Sequence, residues 1–65
     1  MSLSRSEVQT KINDLKGQYP NESTAQIKAR VGTWLDTKDL ANTSFTQAEQ
    51  KARLLDDLGS YEGMS

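Results

Sequence analysis

One helix-start signature occurs three times in this chain of 65 residues, and it leaves little room for any fold but a helical one. Ser4-Arg5-Ser6-Glu7, Ser23-Thr24-Ala25-Gln26 and Thr46-Gln47-Ala48-Glu49 each put a hydroxyl residue three positions ahead of Glu or Gln. In such a capping box the hydroxyl oxygen accepts from the backbone N–H three residues on. The Glu or Gln reaches back to the N–H of the cap, so two donors without intrahelical partners are satisfied. Each copy precedes apolar residues at helical spacing. The expected fold is therefore all-α, a small three-helix bundle with helices over about 6–16, 24–37 and 46–58.

In the first helix, Val8, Ile12, Leu15 and Tyr19 are spaced to share one narrow face. Leu3 and Val8 have the spacing of a hydrophobic staple across the cap. Gly17 is the expected stop, and Pro20 pushes Tyr19 out of the helical region. The second helix divides into Ile27, Val31, Trp34 and Leu35 on a large apolar face, Ala25, Ala29 and Gly32 on a small-residue stripe, and a polar face. Two buried faces suit a middle helix, with Gly32 admitting a close neighbour. Trp34 reads as core in preference to an interface anchor. Leu40 is the expected anchor of the connection that follows. The third helix is expected to turn Phe45, Ala48, Ala52, Leu55 and Leu58 inward and to end at Gly59 in a left-handed conformation. Residues 60–65 are expected to form a flexible tail. Glu7 with Lys11, and Glu49 with Arg53, have the order of favourable i, i+4 pairs.

Composition removes most catalytic chemistry. The chain has no His and no Cys, so it lacks the commonest general base, the commonest metal ligands and any disulfide. Its four glycines are scattered, and none forms a phosphate-cradling loop. Asp36 with Asp39, and Asp56 with Asp57, lack the alternating ligands of a calcium loop and read as solvated positions. No catalytic, cofactor-binding or metal-binding residue is assigned, and neither a cofactor nor a small-molecule substrate is expected. The first residues carry no apolar run of signal-peptide length, and no stretch approaches a membrane span. With no disulfides, the expected setting is cytoplasmic.

What remains is binding. A hydrophobic fraction of 34% and a net charge of −1 describe a small core under a mixed-charge surface. The preferred reading is an accessory, regulatory or inhibitory protein that docks on a protein partner through Leu54, Asp57, Leu58 and Tyr61. These form an apolar patch with an acidic rim, suited to a basic or apolar protein surface. The alternative is a helix–turn–helix-like protein that contacts DNA through Thr24, Gln26, Lys28, Arg30 and Thr33. Charge agrees weakly with it, because residues 1–34 carry a balance of +2 and residues 35–65 one of −3. A further alternative is a small structural subunit of a larger assembly, since helices this short need each other or a host.

Overall fold

The computed structural model describes residues 3–65. Helices α1 (Arg5–Gln18), α2 (Thr24–Leu35) and α3 (Gln47–Asp57) follow in order, and a 3₁₀ turn, Leu58–Ser60, continues directly from α3. The protein is an all-α three-helix bundle, with no strand among the described residues. All three capping boxes close in both directions. The hydroxyl oxygens of Ser4, Ser23 and Thr46 accept from the N–H groups of Glu7, Gln26 and Glu49 at 3.1, 3.2 and 3.2 Å. In return the side-chain oxygens of Glu7, Gln26 and Glu49 accept from the cap N–H groups at 3.4, 2.8 and 2.9 Å. This occupies Glu7 and Glu49, and neither forms an ion pair with its i+4 cation.

Helix ends depart from expectation where proline outweighs glycine. Gly17 lies inside α1, which ends one residue later at Gln18. Tyr19 is the cap, held out of the helical region by the ring of Pro20, and its N–H donates to the Leu15 carbonyl at 2.8 Å. Helix α2 ends at Leu35 rather than 37. Its last carbonyls, of Trp34 and Leu35, accept from the N–H groups of Thr37 and Lys38, which tightens the exit into a turn. Gly59 sits in the 3₁₀ turn, and the left-handed glycine is instead Gly63, at φ 84°.

The core consists of Val8, Ile12 and Leu15 from α1, Ile27, Val31 and Leu35 from α2, and Leu40, Leu58, Tyr61 and Met64. Leu40 is thus the anchor expected of its loop. The segment after α3 is not a free tail, because Tyr61 and Met64 are buried and α1 grips the backbone between them. Gln9 exchanges two hydrogen bonds with the main chain of Glu62, both 3.0 Å. The ammonium of Lys16 donates to the Gly63 carbonyl at 2.8 Å, and Arg5 donates to the Ser60 carbonyl at 2.9 Å. The Arg5 guanidinium also covers the Tyr61 ring, 4.0 Å from its centroid. Residues 60–64 therefore run along α1 as a strap.

Helix α3 departs in part from expectation: Leu55 and Leu58 are covered as expected, but the alanines are not. Ala48 and Ala52 are exposed, Phe45 is half-buried, and the inward side carries Gln47, Gln50, Lys51, Leu54 and Leu55, all half-covered. Polar contacts fix this orientation. The Gln47 side chain accepts from the Leu40 N–H at 2.8 Å and donates to the Leu35 carbonyl at 3.2 Å, while Lys51 pairs with Asp36 at 2.9 Å. On α2, Ala25 and Ala29 are exposed, and only Gly32 of the small stripe is covered. A Cβ at Gly32 would stand 3.6 Å from a Leu55 methyl, an ordinary contact, so close helix approach does not require the glycine.

Candidate docking site

The N-terminal lead into α1, the Leu40 loop and the edge of α3 that carries Gln50, Arg53, Leu54 and Asp57 meet in a groove of about 350 Å³. Leu3, Leu40 and Leu54 supply its apolar lining, and Gln50, Arg53 and Asp57 supply its polar lining. Leu40 is buried, whereas Leu3 and Leu54 are half-exposed and rest against the core from outside. Leu54 faces the groove because Gln47 and Lys51 hold α3 by its first turns. Two polar groups of the groove already have partners. Asp57 pairs with Arg5 at 3.3 Å while over half its side chain stays accessible, and the Arg53 guanidinium lies 4.1 Å from the centroid of the Phe45 ring.

Two of the four residues expected to form the docking patch, Leu54 and Asp57, do stand together here. The other two do not. Leu58 is 2% exposed and Tyr61 5% exposed, because the 3₁₀ turn and the segment after it carry both into the core. Leu3, Leu40, Gln50 and Arg53 were missed by sequence reasoning. The staple spacing of Leu3 and the isolation of Leu40 marked each as apolar and ordered, but only the fold brings them beside Leu54.

The residues of the nucleic-acid alternative are dispersed in role. Thr24, Gln26, Lys28 and Thr33 are exposed on α2. Gln26 is committed to the Ser23 cap, and Thr33 donates to the Ala29 carbonyl at 3.3 Å. Arg30 is bound by both oxygens of Glu22, at 2.6 and 2.9 Å, and its guanidinium stacks 3.5 Å from the Tyr19 ring centroid. Those hydrogen bonds from Arg30 hold the Glu22 carboxyl below its ordinary pKa. One of the two cations of the face is thereby matched inside the protein, and Lys28 is the other.

Trp34 is half-buried, not fully within the core, and the indole separates two shallow clefts between α1 and α2. Among the described residues, no three carboxylates gather as a metal site would require. No helix among them is long and apolar enough to cross a membrane. Comparison with protein-family models, with curated proteins and with solved structures gave no match.

Proposed function

We propose that this chain is a non-catalytic docking module, an accessory, regulatory or inhibitory protein of the cytoplasm that binds a protein partner through the Leu54 groove. The observation that carries the reading is the state of α3: it is amphipathic, it buries none of its residues fully, and it leaves Leu54 open above Leu3 and Leu40. An uncovered leucine is unremarkable alone, but a leucine-lined groove beside an incompletely covered helix offers apolar area that association can remove from water. The partner's chemistry is read from the half of the chain that carries α3, since Arg53 and Asp57 balance one another in the lining. Residues 35–65 carry a net −3, and Asp57 stays accessible at the groove, so the fitting surface presents an apolar side chain with basic neighbours.

Capture on the tagged protein, with nuclease added and with Leu54→Asp as the comparison, tests this. The expected result is a captured protein that survives nuclease and is lost with Leu54→Asp, while the variant keeps the helical circular dichroism of the parent. Capture unchanged by Leu54→Asp, or abolished by nuclease, overturns the proposal. An unfolded variant would overturn it too, because Leu54 would then belong to the core.

A further inference from the structure

Trp34 organises a second surface that shares no lining residue with the Leu54 groove. The ammonium of Lys38 lies 5.2 Å from the indole ring centroid and that of Lys11 5.9 Å. Contacts of this length keep the charges beside the ring without satisfying their N–H donors. Neither lysine forms an ion pair among the described residues, in contrast to Arg30 with Glu22 and Lys51 with Asp36.

The two clefts beside the indole differ in charge. One, of about 270 Å³, has Glu7 and Asp14 in its wall. The other, of about 300 Å³, is lined by Lys11, Leu15, Arg30, Thr33, Trp34 and Thr37 and has no carboxylate. The Arg30 charge there is already met by Glu22, so the charge without an ion pair comes from Lys11, which lines both clefts, with Lys38 at the indole. Leu15 and Trp34 contribute apolar lining.

The hydroxyls discriminate between kinds of anion. Thr33 donates its proton to the Ala29 carbonyl at 3.3 Å, and Thr37 donates to the Trp34 carbonyl at 2.7 Å. Both oxygens are left as acceptors. Acceptors suit the amide N–H groups of a peptide and oppose phosphate, which only accepts. We infer that the Trp34 cleft is a docking site for an acidic peptide segment that carries an apolar side chain. The carboxylates reach Lys11 and Lys38, the apolar group covers the indole, and main-chain N–H groups meet the threonine oxygens.

Trp34 is the single tryptophan of the chain, so its fluorescence reports occupancy directly. Titration of the full chain with a short glutamate-rich peptide containing one leucine is expected to give a saturable spectral change that weakens as salt rises. Combining Lys11→Gln with Lys38→Gln is expected to weaken binding about fivefold or more, whereas Lys28→Gln leaves it unchanged. The absence of a saturable change, or equal binding by the double variant, overturns the proposal. Tighter binding of an oligothymidylate than of the peptide overturns it in favour of nucleic acid. Leu54→Asp leaves this titration unaltered, so failure here stays separable from failure of the groove.

Discussion

Helices α1 and α3 begin with the same device and end up in different environments. Each opens on a capping box closed in both directions. Helix α1 then buries Val8, Ile12 and Leu15, while α3 buries nothing completely. The difference lies in what returns to cover each helix. The strap after α3 folds along α1 and adds Tyr61 and Met64 to the core, gripped by Arg5, Gln9 and Lys16. Among the described residues nothing comparable lies over the Leu54 edge of α3, which remains open to the groove. Capping chemistry therefore sets where a helix starts, and tertiary cover sets how much it contributes. The candidate docking groove lies on the helix with less cover.

The largest expected effect comes from attacking the covered side. Tyr61→Ala removes a ring that is 5% exposed and is expected to lower stability by about 3 kcal/mol, a large fraction for a domain of this size. The matched change on the open side, Leu54→Ala, is expected to lower it by less than about 1 kcal/mol, since a half-exposed side chain has less burial to lose. Urea denaturation of both variants gives the comparison. Equal losses would mean that α3 is as integral as α1, and the contrast would fail.

A smaller effect should follow from the backbone of the strap. Gly63 adopts φ 84°, a region where a Cβ is strained, and a Cβ there would also collide with the Lys16 ammonium that binds the Gly63 carbonyl. Gly63→Ala is expected to destabilise by about 1–2 kcal/mol. It should also speed amide exchange at Glu62, whose N–H is held by Gln9. Unchanged exchange at Glu62 would show that the strap is held by its buried side chains alone.

These two tests bear on the parts of the fold that were least readable in the sequence. Helix number, the three caps, the apolar stripes of α1 and α2 and the Leu40 anchor were legible, because each rests on spacing within a few residues. The strap was not, because its polar contacts join residues about fifty positions apart and Tyr61 and Met64 have no periodic neighbours. The face of α3 was misjudged for a related reason. Counting alanines as apolar favoured Ala48 and Ala52, whereas Gln47 and Lys51 orient the helix through groups on α2 and the loop that follows it. Half of the expected docking patch was lost to the segment after α3: Leu54 and Asp57 reach the groove, while Leu58, which was also expected inward, and Tyr61 are buried.

The smallest expected effect separates local from global contributions by pH. Two carboxyls lie below their ordinary pKa: Glu22 through hydrogen bonds from Arg30, and Glu49 through hydrogen bonds from the Thr46 backbone and hydroxyl. A carboxyl lowered in the folded state contributes stability that is fully present above its unfolded pKa. That contribution is lost as pH falls through the lowered folded value. Both contributions should therefore be intact at neutral pH and fade on the acid side of the ordinary carboxylate range. Their reach differs, however. Glu22 ties the turn after α1 to Arg30 on α2, whereas Glu49 secures only the first turn of α3. Glu22→Gln should flatten the acid limb of global stability measured by denaturation, and Glu49→Gln should register mainly as faster amide exchange at the start of α3. If Glu49→Gln moved global stability as far as Glu22→Gln does, fraying of α3 would be inseparable from unfolding of the whole domain, and the less-covered helix would owe its place to the same cooperative unit as α1.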